Sequence, residues 1–201
     1  MRFQEAYKEL SEKKYRIFSF EDLCVFYPQE KRSSLRQYLS RWKKQGWLQP
    51  LKKGLYELTY PQGQGVPDFY IANKMYEPSY ISLETALSYY SIIPEVSLAV
   101  VSVTSKITRR FKNSHGLFIY RSVRTEALRG YTIEKHNGFN ILIAEPEKAL
   151  VDYLYFKTLR GRSFDKTAER IDQKRVRQLN KKKLESYAKI YQLELEEFLY
   201  A

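Results

Sequence analysis

A chain of 201 residues can hold one large domain or two small ones, with enough surface to bury a real core. Its formal net charge of +12 and pI near 9.6 favour a polyanionic partner: nucleic acid, an acidic protein or a membrane surface. The lone Cys24 excludes an internal disulfide and a cysteine-rich zinc site, and no apolar run is long enough to span a bilayer. Residues 1–10 lack a signal-peptide core, so the expected location is the cytoplasm. The charge is uneven: residues 1–60 carry 13 basic and 7 acidic groups, half of the whole excess.

In chain order, Phe3, Ala6, Tyr7 and Leu10 predict an amphipathic helix over residues 3–12. Ser19 with Asp22 makes a loose capping box for a short helix to about Tyr27, which Pro28 ends. Cys24 lies in its apolar run and reads as a small core residue. After a turn at residues 29–32, Ser33 or Ser34 is expected to cap a helix running to about Gln45, with Gly46 at its C-terminus. Residues 47–51 read as a strand, 52–54 as a turn and 55–58 as a returning strand. Three helices followed by a hairpin is the order of a winged helix-turn-helix.

Residues 61–67, rich in Gly, Gln and Pro, read as a linker. The expected organisation is a DNA-binding domain over 1–60, a linker over 61–68 and a second α+β domain over 69–201. Residues 69–75 look helical, and Ser82 is placed to cap a helix to about Tyr90, with Ile81 and Ala86 as a staple. Strands are expected over 98–103 and in two hairpins, 107–111 with 117–121 and 131–135 with 139–143, the second turning through Asn137-Gly138. Pro146 should open a helix whose apolar face is Ala149, Leu150, Tyr153 and Leu154. The charged tail keeps a helical stripe at Leu184, Ala188, Tyr191 and Leu195. The expected fold class is α+β: a winged helix-turn-helix, then a mixed domain of antiparallel hairpins and flanking helices.

The most informative stretch is residues 31–53, with eight lysines and arginines and no acid. Leu35, Tyr38, Leu39 and Trp42 recur at helical spacing, so the opposite face presents Ser34, Gln37, Arg41 and Lys44, flanked by Ser33, Arg36 and Lys43. These residue types suit a DNA groove: Arg pairs with guanine, Gln with adenine, and Ser or Lys with phosphates or base edges. A recognition helix touches bases mainly with its N-terminal half. Ser33, Ser34, Arg36 and Gln37 are therefore the expected base readers, and Arg41, Lys43 and Lys44 the phosphate clamps. Lys52 and Lys53 are expected at the wing tip, within reach of the DNA backbone or minor groove. The competing reading is a solvated helix in a module that meets an acidic protein.

Enzyme signatures are sparse. His115 and His136 fall in turns without metal-ligand spacing, and the glycines form no phosphate-binding loop. Glu145, Glu147 and Lys148 have the flavour of a metal-dependent nuclease, but Pro146 sets them in a first helical turn, where acids complement the helix dipole. No catalytic residue, cofactor or metal is expected.

The middle of the chain carries longer blocks: Tyr80-Ile81-Ser82-Leu83-Glu84-Thr85-Ala86-Leu87-Ser88-Tyr89-Tyr90, Ile93-Pro94-Glu95, Ser102-Val103-Thr104-Ser105-Lys106, Arg109-Arg110-Phe111 and Gly116-Leu117-Phe118-Ile119-Tyr120-Arg121. Ala144-Glu145-Pro146-Glu147-Lys148-Ala149-Leu150-Val151-Asp152 follows. Together they resemble the AbiEi-like antitoxins of AbiE type IV toxin–antitoxin systems. The resemblance implies a non-catalytic, two-domain protein whose winged helix binds inverted repeats in its own promoter, as a monomer or weak dimer pairing on DNA. It also implies a C-terminal domain that counteracts a nucleotidyltransferase-like toxin without a durable complex. Some such proteins are orphan regulators with no toxin.

Overall fold

The structure, a computed structural model, describes residues 2–61, 65–95, 97–159, 164 and 169–195. Most of the linker's Gly/Gln core, residues 62–64, lies outside the described residues. Two compact units are formed, residues 1–75 and 76–201.

The first unit contains α1 (Phe3–Glu12), β1 (Ile17–Ser19), α2 (Phe20–Phe26), α3 (Arg32–Lys44), β2 (Leu48–Lys52), β3 (Leu55–Leu58) and α4 (Asp68–Met75). Helix α1 spans the expected residues and buries Phe3, Ala6 and Leu10. At α2 the capping box is closed: the Asp22 amide donates to Ser19 Oγ at 3.0 Å, and the Ser19 amide to Asp22 Oδ2 at 2.6 Å. Three apolar stripes then meet, Phe3-Ala6-Leu10, Leu23-Tyr27 and Leu35-Leu39-Trp42, joined by Phe18, Leu48 and Leu58 from the strands. The Phe3 ring stacks on Trp47 at 4.3 Å and meets Trp42 edge-on at 5.4 Å.

Three local expectations are corrected. The strand β1 has no sequence signal of its own and exists because it pairs antiparallel with β3, giving a sheet of order β1-β3-β2. Helix α3 begins before its serines: Lys31 is the N-cap, without a side-chain cap, so Ser33 and Ser34 sit in the first turn. Lys52 ends strand β2 instead of entering the turn, where a register shift between Pro50 and Lys52 redirects it. Helix α4 covers the expected residues but clusters with the first unit.

The second unit contains β4 (Ser79–Ile81), α5 (Leu83–Tyr89), β5 (Ala99–Thr104), β6 (Arg109–Asn113), β7 (Gly116–Ser122), a short 3-10 turn, β8 (Tyr131–His136), β9 (Phe139–Ala144), α6 (Pro146–Thr158), α7 (Gln173–Arg177) and α8 (Lys181–Tyr191). The six strands form one mixed sheet of order β6-β7-β5-β4-β9-β8. Both expected hairpins are present, and the second turns through Asn137 and Gly138 at φ +49° and +81°, the signs of a type I′ turn. Strands β5 and β6 start one and two residues later than periodicity suggests, leaving Leu98 and Ile107 exposed ahead of them. Helix α6 packs between α5 and α8, and α8 buries the expected Leu184, Ala188 and Tyr191.

Candidate nucleic-acid interface

Helix α3 is fixed from both ends and beneath. Beneath, Leu35, Leu39 and Trp42 are buried. At the C-terminus the Gly46 amide donates to the Lys43 carbonyl at 3.1 Å and the Trp47 amide to the Trp42 carbonyl at 3.0 Å. With Gly46 at φ +72°, this is a Schellman closure, and it aims the chain directly into β2.

The outward face carries the predicted residues. Ser33, Arg36, Gln37, Arg41, Lys43 and Lys44 are exposed and Ser34 is half-buried. Ser40, not singled out in the sequence, is exposed on the same helix. Arg41, Lys43 and Lys44 occupy the last turn, where cations also complement the helix dipole.

Two residues that sequence reasoning missed organise the N-terminal half. The Phe20 ring, the first residue of α2, lies under the guanidinium groups of Arg32 at 4.8 Å and Arg36 at 5.1 Å. Arg32 also donates twice to the Glu21 carboxylate, at 3.0 and 2.6 Å, tying α3 to α2. That hydrogen bonding holds the Glu21 carboxyl below its ordinary pKa. The available signal was the capping box itself, which fixes residues 20 and 21 at the start of α2. Arg41 lies 5.5 Å from the centre of the Tyr38 ring, whose own face stacks on Trp42 at 6.0 Å.

The hairpin lysines part company. Lys53 is exposed in the two-residue turn, beside Gly54 at φ +77°. Lys52 instead donates its ammonium to the Met75 carbonyl at the end of α4, where the last carbonyls of a helix have no partner within the helix. Its expected place at the wing tip is therefore corrected: the bulge turns Lys52 inward and leaves Lys53 at the tip.

The three residues weighed as a nuclease site are all committed to joining α6 and α8. Glu145 accepts from Lys183 at 2.9 Å and from the Tyr187 hydroxyl at 2.8 Å. Glu147 accepts the Asn180 amide at 2.9 Å. Lys148 is fully buried and paired with Asp152, with the Tyr191 hydroxyl 3.0 Å away. Burial pulls its ammonium below the ordinary lysine pKa, against the opposing pull of Asp152. Among the described residues no group of three His, Cys, Asp or Glu side chains could hold a metal ion. His115 lies in the turn between β6 and β7, and His136 ends β8.

Among the described residues no helix is long and apolar enough to cross a membrane. Residues 5–59, from within α1 to just past the hairpin, match the family model of the AbiEi antitoxins, described as transcriptional regulators; the blocks between residues 80 and 152 lie outside the matched span. No curated protein matches the chain.

Proposed function

We propose, from the AbiEi match over residues 5–59, that the first unit is a winged helix-turn-helix by which the chain represses its own promoter, and that the second unit counteracts a nucleotidyltransferase-like toxin. The order α1-β1-α2-α3-β2-β3 supports the winged-helix reading, with α2 and α3 as the helix pair and the β2–β3 hairpin as the wing. One observation carries the DNA reading above the rest: α3 buries Leu35, Leu39 and Trp42 of its apolar stripe and turns an acid-free cationic face outward.

On this reading the two halves of α3 divide the work. The helix starts with no side-chain cap and no acid in its first turn, so its terminal amides are open to a phosphate. Ser33, Ser34, Arg36 and Gln37 read base edges in the major groove. Arg41, Lys43 and Lys44 hold phosphates, and Lys53 reaches the backbone from the wing. Phe20 and Glu21 are positioning residues that keep Arg32 and Arg36 spread over one plane. Binding to inverted repeats would seat two copies as a weak pair on one operator.

A mobility-shift assay comparing the chain's own promoter with random duplex tests this. The expected result is a preference for the promoter that Arg36→Ala with Gln37→Ala relaxes by about 1–3 kcal/mol per lost bidentate contact. Equal binding to both duplexes by the native chain ends the repressor reading.

A further inference from the structure

An acid-free stretch longer than the one on α3 runs from residue 96 to residue 125 and holds six cations, Lys106, Arg109, Arg110, Lys112, Arg121 and Arg124. It builds β5, β6 and β7, and β6 is one edge of the six-stranded sheet. Arg109, Arg110 and Lys112 are all exposed along that edge. The register places them on both sides of it. Arg109 pairs with Tyr120 and Phe111 with Phe118 on one face, while Arg110 pairs with Ile119 and Lys112 with Leu117 on the other. Apolar surface runs between the charges: Phe111, Leu117 and Ile119 are half-buried, and Ile107 just before the strand is 65% exposed.

Cations on an edge strand can serve simply to keep other strands away. They do so only against neutral or basic strands. An acidic strand meets the opposite of a barrier here. We propose that β6 is a docking edge for an acidic, strand-forming segment of a partner protein. The incoming strand pairs with the main chain of β6 and sets carboxylates from both of its own faces, one against Arg109 and the others against Arg110 and Lys112. The straddling arrangement favours a strand over a nucleic acid, because a phosphate backbone lying on the sheet would meet cations on one face alone. A second copy of this chain is disfavoured: it carries the same +12, and its other sheet edge, β8, sets Lys135 beside Glu134. This edge belongs to the second unit and α3 to the first, and the proposal stands or falls independently of DNA binding.

Fluorescence anisotropy of the full-length chain provides the test, with a labelled peptide of Val-Glu-Glu-Val repeats (the Val-Glu peptide), whose carboxylates fall on both faces of a strand. The same repeat with Pro for each Val (the Pro-Glu peptide), of equal charge, serves as control, since its prolines fall at both odd and even positions and remove donors whichever way the strand faces. The native chain should bind the Val-Glu peptide and bind the Pro-Glu peptide far more weakly. Arg110→Glu with Lys112→Glu should weaken Val-Glu binding by about tenfold or more, with the salt slope of the duplex mobility shift unchanged. Equal binding of the two peptides would show charge alone and overturn the proposal. So would no binding to either, in which case the cations only guard the edge, or displacement of the peptide by random duplex. The comparison of peptides on the native chain decides the matter even if the double variant does not fold.

Discussion

Lys148 and Asp152 lie one helical turn apart on α6, and neither side chain touches solvent. Such a pair survives only because its remaining valences are filled. Asp152 accepts from the hydroxyls of Tyr80 at 3.0 Å, Ser82 at 2.8 Å and Tyr191 at 2.6 Å, while Lys148 faces the rings of Tyr191 at 4.8 Å and Tyr80 at 5.6 Å. Ser82 thereby gives up its expected capping bond: it stands at the N-cap of α5 but spends its hydroxyl on Asp152. Asp152→Ala would strand a buried ammonium and three hydroxyls at once. The expected loss is about 3–5 kcal/mol in urea unfolding, whereas Lys148→Met with Asp152→Leu should cost clearly less than twice that. Additive losses would mean that the two groups do not act as a pair.

At the scale of elements, α8 is held to α6 by the acids of residues 145–152 rather than by apolar packing alone. Glu145 is the most exposed of these anchors. Burial raises its pKa, but the hydrogen bonds from Lys183 and Tyr187 outweigh that and hold it below the ordinary carboxylate value. A carboxyl with a depressed folded pKa contributes stability that is complete above its unfolded pKa and is lost as pH falls through its folded one. Glu145→Gln should therefore leave the protein slightly less stable at neutral pH, by about 1 kcal/mol at most for so exposed a group, and flatten the decline below about pH 4.5. Thermal unfolding followed by circular dichroism across that window checks it, and parallel pH profiles for variant and native chain would remove Glu145 from the account. These same anchors mark the limit of what the chain discloses before it folds. The α2 box, the Gly46 closure, the Asn137-Gly138 turn and the α3 stripe were legible because each is decided within a few residues. Strand β1 was not, because its pairing with β3 is made across the rest of the unit. Lys52 misled because a single bulge reverses the side to which it points. The burial of Lys148 was not legible either, since the rings it faces, Tyr80 and Tyr191, come from β4 and α8. On α3, the cationic face was legible from spacing, but Phe20 and Glu21 were not, as they come to Arg32 and Arg36 from another helix.

For the molecule as a whole, the question is how a net charge of +12 is turned into selectivity rather than into general stickiness. Long-range attraction depends on total charge, so on the proposed DNA-binding reading any cation removed from any surface weakens capture of DNA a little. A phosphate contact is different in kind. Each one formed releases condensed counterions, and log Kobs against log salt steepens by about 0.9 per contact on B-form duplex. The slope therefore counts contacts, whereas affinity at one salt concentration does not. Lys53, exposed at the tip of the hairpin, and Lys43 and Lys44, exposed in the last turn of α3, should each lower the slope by about 1 when changed to Ala. Arg110 and Lys112, on the edge of the second unit, should lower affinity slightly and leave the slope alone. Lys52 provides the sharpest comparison, since it neighbours Lys53 in sequence and carries the same charge. With its ammonium on the Met75 carbonyl, Lys52→Ala should leave the slope near its native value and instead lower the stability of the first unit, where α4 meets β2. Salt titrations of the mobility shift, with thermal unfolding of each variant alongside, separate the two lysines. Equal slope changes for Lys52→Ala and Lys53→Ala would return Lys52 to the DNA surface and remove the bulge as the reason for their difference.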